Sequence, residues 1–500
     1  MNKQLPFFSA VLIWIGQIFI LFLWTGTGLA QEKSHFINKT LRVDYYHLAD
    51  AVSEIFTLDH IYLQDQWSGN PGHHIIPFII GNYAIKLYDL QSGNLIFYKS
   101  YNSYCGEYRV TPMAESGQKR TFHESVLFPC PQQPVRFVLE RRDKQNHFQP
   151  IWELALRPDD QNIMPVNVIH DRTVQKIIDN GPVQEKVDIV ILAEGYTHSE
   201  QVKFDQDVQR YLDLFFTWQP YQSLQDKFNI YSIFTPSWES GSDEPQRDIF
   251  RNTVFNSSFN TFGAAQYLLT EDNKTVRDIA AAVPYDVILI LVNSPAYGGG
   301  GIYNTYAIIT TDNPYGEYLL HHEFAHCLAD LADEYYSSSD PYDDFYAAGI
   351  EPVDPNITAL LDPLNVKWAD LLSPGIGVPT DWQQQTYDSL QTLRTQNWQT
   401  MTDTMADRQQ KQVPADTIAV IRNKYIFRDT TLRNQINEFF HNHPLRGKIG
   451  VFEGAGYKNK GMFRPTLNSI MNRFMVEDKS FYAVNEAHIK KIIHYYCGDE

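Results

Sequence analysis

The chain has 500 residues, of which 43% are apolar and 20% charged, and its formal net charge is -18. That length exceeds what one hydrophobic core usually spans, so two or three domains are expected. The acidic balance lacks the basic face that a nucleic-acid partner requires, and 30 Tyr and 30 Phe argue against a disordered chain.

The N-terminus carries Lys3, a mostly apolar run over residues 7–24, and Gly28-Leu29-Ala30 ahead of Gln31. Residues 1–30 therefore read as a signal peptide. The alternative is an uncleaved anchor, because the run is near spanning length. Either way the bulk of the protein is exported: secreted, periplasmic or held at the cell surface. No later segment reads as a bilayer span. The four cysteines, Cys105, Cys130, Cys327 and Cys497, are too few for a disulfide-built fold, and none has C-x-x-C spacing. Cys105 and Cys130 share one region and are available to pair. Sequons at Asn38, Asn256, Asn273 and Asn356 are near chance frequency.

Residues 31–165 read as a β-sandwich. TLRVDYYHL (40–48) and VRFVLERRD (135–143) alternate, and AIKLYDLQSGNLIFYKS (84–100) has two apolar runs around Gln91-Ser92-Gly93-Asn94, a hairpin pattern. A connector is expected over 166–183. KVDIVILAEGY (186–196) and YDVILILVN (285–293) then read as strands covered on both faces. Thr197 and Glu200 have capping-box spacing ahead of an apolar stripe at Phe204, Val208, Tyr211 and Phe215. Strands alternating with helices define an α/β layer over 184–500.

AYGGGGIYNTYAIITTD (296–312) follows. Its four glycines lack G-K-[ST] and precede a strand, so a phosphate loop is the weaker reading and a flexible loop into an edge strand the better one. Pro314 suits the first turn of the next helix. From about 335 onward the pattern is irregular until a terminal helix over 481–496.

The helix after Pro314 contains HHEFAH, with His322, Glu323 and His326 in H-E-x-x-H register. Imidazoles at i and i+4 project from one helical face about 6 Å apart along the axis, so both can reach one zinc ion. Glu323 then lies beside the ion, placed to take a proton from water and later deliver it to a leaving amine. A chance match is expected in only a few per cent of chains this long. Leu320, Phe324, Leu328 and Leu331 supply a core-facing side for the same helix.

A catalytic site of this kind needs a third protein ligand. Asp330, Asp333, Glu334 and the distant Glu486 are the candidates. On a straight helix Asp333 would lie about 16 Å from His322, so it serves only if the chain reverses between them. With no Gly available, Asp330 is the residue best suited to a left-handed turn. That assigns Asp330 to the turn and Asp333 to the metal, with Glu334 as a supporting partner.

HHEFAHCLADLADEYY resembles the active-site helix of the IgA peptidase family, metallopeptidase family 64. DIVILAEGYT (188–197), SSFNTFG (257–263), PYDVILILVNSPAYGGGGIYN (284–304) and FEGAGYKNKGMFRP (452–465) are similar to that family's other blocks. TLRVDYYHL and FHESVLFP (122–129) are similar to its N-terminal accessory domain. The resemblance implies an extracytoplasmic zinc endopeptidase with His322, His326 and Asp333 as ligands and Glu323 as general base. The family commonly has Gly where this chain has Asp330. Asn468-Ser469-Ile470-Met471 resembles the methionine turn of metzincin-like enzymes, which implies Met471 packs beneath the histidines. Tyr303, Tyr335 and Tyr457 lie in family-like blocks as candidates to hold the oxyanion, and the sequence does not choose among them.

The expected fold is thus multidomain α+β: an N-terminal β-sandwich followed by a metzincin-like α/β zinc-peptidase domain with an irregular C-terminal subdomain. The expected cofactor is one catalytic zinc ion, and the partner a protein or peptide substrate. The rival class is a non-catalytic surface adhesin or glycan-binding protein with a structural or vestigial zinc site.

Overall fold

The computed structural model describes residues 34–166, 172–336, 346–472 and 480–499; the proposed signal segment lies outside them. The first part holds β1 (Phe36–Ala49), β2 (Glu54–Gln64), β3 (Tyr83–Asp89), β4 (Leu95–Tyr101), α1 (Tyr104–Arg109), α2 (Pro112–Glu115), β5 (Arg120–Pro131), β6 (Val135–Arg142), β7 (Phe148–Leu156) and β8 (Ile163–Pro165). Two four-stranded sheets form, in the orders β5-β1-β2-β8 and β4-β3-β6-β7. Leu41, Val43 and Phe128 from the first meet Ile85, Leu87, Phe137 and Leu139 from the second in one core, so the sheets are sandwiched. The β3–β4 hairpin turns where expected, with Gly93 at φ +74 and the Asp89 amide donating to the Asn94 carbonyl at 2.9 Å.

Cys105 and Cys130, available to pair by their place in the sequence, are not joined. Both are free and buried, in different cores: Cys130 lies between the two sheets, and Cys105 faces the second domain.

The second part holds β9 (Thr173–Ile178), β10 (Val187–Glu194), α3 (Gln201–Phe215), β11 (Phe228–Phe234), α4 (Asn273–Ala280), β12 (Val287–Val292), β13 (Gly299–Ile302), β14 (Tyr306–Thr310) and α5 (Gly316–Ala329). They build a six-stranded sheet in the order β13-β14-β12-β10-β11-β9. The four inner strands are parallel and wholly buried, which explains the near-continuous apolar runs of β10 and β12. The edge strands β9 and β13 run antiparallel. One face is covered by α3 and α5, and the other by α4 and the segment around 255–269. β9 lies within the stretch read as a connector.

The glycine-rich run differs from expectation. Tyr306–Thr310 is an inner strand, and the glycines themselves form the edge strand β13. The reason is steric. A Cβ at Gly301 would lie 2.9 Å from His326 Cβ, and one at Gly299 would lie 3.0 Å from Glu323 Cγ. On the other face, a Cβ at Gly300 would meet Leu269 Cδ2 at 2.6 Å, and one at Gly298 would meet the Gln266 carbonyl at 2.7 Å. The strand is pinched between the motif helix and the 257–269 segment, and only glycine fits. Its outer edge is also occupied at Gly299 by a bridge to Tyr267. Helix α5 starts at Gly316, two residues later than Pro314 suggested, where Gly316 packs against the Tyr211 hydroxyl.

The C-terminal part is more regular than the sequence indicated. α6 (Gln384–Gln410) and α7 (Ala415–His441) are long helices packed as a hairpin, followed by β15 (Ile449–Ala455), β16 (Lys458–Thr466) and α8 (Tyr482–Cys497). The hairpin is joined by Arg394 Nε donating to Asp429 Oδ1 at 2.7 Å and Trp398 Nε1 donating to the same oxygen at 2.8 Å. Among the described residues no helix is long and apolar enough to cross a membrane.

Gly301→Ala is expected to lower stability by about 1–3 kcal/mol, because the added methyl overpacks the strand against α5. A thermal unfolding midpoint equal to that of the unaltered protein would contradict this reading of β13.

Candidate metal centre

Helix α5 places Leu320, Phe324 and Leu328 in the core against the parallel sheet. That fixes its rotation and turns His322 and His326 toward a cleft. Their Nε2 atoms are 3.2 Å apart. The helix ends at Ala329, and Asp330 takes φ +49, ψ +38, the left-handed conformation anticipated for it, with its amide donating to the His326 carbonyl at 3.1 Å. The chain doubles back, and Asp333 Oδ1 arrives 3.2 Å from His322 Nε2 and 3.4 Å from His326 Nε2.

These three atoms form a nearly equilateral triangle. Tetrahedral donors with bonds of about 2.0–2.1 Å stand about 3.3 Å from one another, so the triangle matches one face of a tetrahedron. The hydrogen bonding agrees. His322 Nδ1 faces the Ile470 carbonyl at 3.0 Å and His326 Nδ1 faces the Leu331 carbonyl at 2.5 Å. Each Nδ1 must therefore carry the proton and donate, which leaves both Nε2 lone pairs aimed inward. Asp333 Oδ1 is buried and accepts no conventional hydrogen bond. Two nitrogen lone pairs and a carboxylate oxygen converge with nothing positive between them, and a divalent cation fits that donor set.

The electrostatics point the same way. Burial alone would lower His326, but the Asp333 carboxylate outweighs it and pulls the imidazole up to about 9. Burial would raise Asp333, but His326 and His322 hold it far below the usual carboxylate range. The pocket favours positive charge among the three atoms.

A buried polar layer fixes Asp333. Tyr457 donates its hydroxyl to Asp333 Oδ2 at 2.6 Å, and the Gly456 amide donates to the Asp333 carbonyl at 3.0 Å. Asn356 grips the preceding residue like a strand partner: its Oδ1 accepts from the Ala332 amide at 2.8 Å and its Nδ2 donates to the Ala332 carbonyl at 2.9 Å. Glu334 points away from the histidines. Its carboxylate accepts from Ser469 Oγ at 2.6 Å, Asn485 Nδ2 at 2.8 Å and Asn356 Nδ2 at 3.1 Å. Burial raises its pKa, and these hydrogen bonds partly offset that. Met471 is fully buried, and its carbonyl accepts from the Glu334 amide at 2.8 Å. Glu486 faces Lys490 at 3.8 Å on α8 and is not among the residues lining the histidine cleft.

Glu323 carries a carboxylate oxygen within 4.8 Å of both histidine ligand atoms. It lines the cleft together with Gly299, Gly301, Tyr303, Tyr335 and Tyr457, and with Asn102 and Glu107 from the sandwich domain. All three tyrosines singled out in the sequence thus reach the cleft, but the Tyr457 hydroxyl is engaged by Asp333. A second grouping, Asp44, Asp59 and His123, lies on the sandwich. Arg42 at 3.0 Å and Lys274 at 3.8 Å already balance Asp44 there.

The hydrogen bonds by which Asn356, Ser469 and Asn485 hold Glu334 were not legible in the sequence. Asn356 was visible only as a sequon, and its complete burial shows that its side chain serves the fold.

A helix bearing two histidines and a glutamate, closed by a returning aspartate beside an open cleft, has the construction of a metallopeptidase centre. Comparison with known families agrees. The chain belongs to the IgA Peptidase M64 family, whose sequence model matches residues 175–493, and the Peptidase M64 N-terminus model matches residues 32–153. No curated protein matches the chain.

Asp333→Ala is expected to reduce the divalent metal retained after dialysis from one equivalent to a trace, measured by elemental analysis. Tyr457→Phe should keep the metal but weaken its affinity about 10–100-fold, as losses of a ligand's hydrogen-bond partner do. Full metal retention in Asp333→Ala would remove Asp333 from the ligand set.

Proposed function

We propose that the protein is a secreted zinc-dependent endopeptidase that cleaves peptide bonds of proteins outside the cytoplasm. His322, His326 and Asp333 hold the ion, and Glu323 is the general base. The observation that carries this is the 3.2, 3.2 and 3.4 Å triangle of inward-facing donor atoms. Two imidazole nitrogens and one carboxylate oxygen are a donor set that suits zinc, which is what favours this ion.

When bound, zinc supplies Lewis acidity, making a nearby water more acidic and a scissile carbonyl more electrophilic. Glu323 directly follows His322, so its carboxylate stands beside the ligand triangle and not within it. It takes the proton of the attacking water and afterwards delivers it to the amine that leaves. Gly299 and Gly301 line the cleft beside Glu323, and their lack of a Cβ lets the motif helix pack directly against β13. β14 lies between β13 and β12, so it offers no free edge with which a substrate main chain could pair. Export is supported by the Lys3, 7–24 and Gly28-Leu29-Ala30 pattern.

Glu323→Ala is expected to retain one zinc ion while cleavage of unfolded casein falls about 10²–10⁴-fold, the usual contribution of a general base. Undiminished turnover by the zinc-loaded variant would rule out this mechanism. A wild-type protein whose casein cleavage survives chelation would rule out the metal chemistry altogether.

A further inference from the structure

We propose that the N-terminal sandwich is a working part of the metal centre, acting through Asn102 and Asp330 as a pair of positioning residues. The inference rests on the reading of Asp333 as a ligand.

Asp330 occupies a left-handed backbone position that glycine would adopt without strain. What an aspartate adds there is its carboxylate, and both of its oxygens accept hydrogen bonds from the other domain. Oδ2 accepts from the Gly81 amide at 2.7 Å, and Oδ1 accepts from Asn102 Nδ2 at 2.8 Å. Asp330 is buried, so solvent does not compete for these bonds.

The partners are themselves fixed. Asn102 Oδ1 accepts from the Asn82 amide at 2.8 Å, and the Asn102 amide donates to the Tyr303 carbonyl at 3.0 Å. Thr305 donates its hydroxyl to the Asn102 carbonyl at 2.7 Å. Gly81 sits at φ +76, and its carbonyl accepts from Arg142 Nε at 2.8 Å. The end of β4 is thereby stitched to the β13–β14 turn on one side and to the end of α5 on the other.

The held residue controls two ligands at once. Its neighbour Leu331 accepts from His326 Nδ1, which orients that ring, and three residues on Asp333 closes the triangle. A turn released from Gly81 and Asn102 has freedom to carry Asp333 away from the histidines and to loosen His326.

The test exchanges donor and acceptor across the pair in the full-length protein. Asn102→Asp alone sets two carboxylates face to face. Asp330→Asn alone turns an amide N–H₂ toward a donor. In the double variant, Asn at 330 keeps the left-handed turn, accepts the Gly81 amide and donates to Asp at 102, which still accepts from Asn82. Zinc affinity is read by competition with a chromophoric chelator, and ligand geometry by the visible spectrum of the cobalt(II)-substituted protein. Each single variant should bind zinc about 10–100-fold more weakly with an altered cobalt spectrum. The double variant should return to within about threefold of the wild type. Single variants that lose thermal stability yet keep the wild-type zinc affinity and cobalt spectrum would overturn the proposal, as would a double variant no tighter than the weaker single one. A wild-type protein that takes up no stoichiometric zinc would bring down the underlying site reading first, before any variant is compared.

Discussion

The reversal of the chain at Asp330 is the constraint on which the rest depends. An α-helix brings His322 and His326 to one face without further help, but it carries every later residue steadily away from them. One residue at φ +49 ends the helix and sends Asp333 back to within 3.2 Å of His322. The centre therefore combines a regular element, which sets the histidine spacing, with an irregular one, which must be held by its surroundings.

Those surroundings are polar and buried, a costly choice unless every group is paired. Asn356 pairs with both main-chain groups of Ala332, and Glu334 spends its two oxygens on Ser469, Asn485 and Asn356. The groups come from the segment after α5, the stretch between β16 and α8, and α8 itself. Asp330 adds the sandwich domain to that set. Asp333 Oδ1, buried and without a conventional hydrogen-bond donor, faces the histidines. A carboxylate oxygen held in this way against two imidazole nitrogens suits a cation.

Features with short-range physical causes were legible in the sequence. The H-E-x-x-H register followed from helical geometry, while the turn at Asp330 and the return of Asp333 needed the added premise of a third ligand and the family resemblance. The inner strands β10 and β12 announced themselves as unbroken apolar runs, and the β3–β4 hairpin as two runs around a glycine. What escaped notice depends on partners far along the chain. The four glycines make sense only once the motif helix and the 257–269 segment are seen on opposite sides of β13. The α6–α7 hairpin was hidden because each helix buries only a narrow stripe, such as Asp429, Leu432, Ile436 and Phe440 in α7, and is otherwise polar. Cys105 and Cys130 looked like partners by proximity in sequence, but the sandwich sends them into separate cores. Asn102 and Asp330 are 228 residues apart, and no local pattern links them.

Anomalous diffraction recorded on either side of the zinc absorption edge, from crystals grown without added chelator, tests the central claim most directly. One strong peak is predicted, about 2 Å from His322 Nε2, His326 Nε2 and Asp333 Oδ1, with Glu323 outside bonding distance. A peak bound by Glu323 while Asp333 stands away, or a helix continuing straight past Ala329 with no peak at the histidines, would contradict the account.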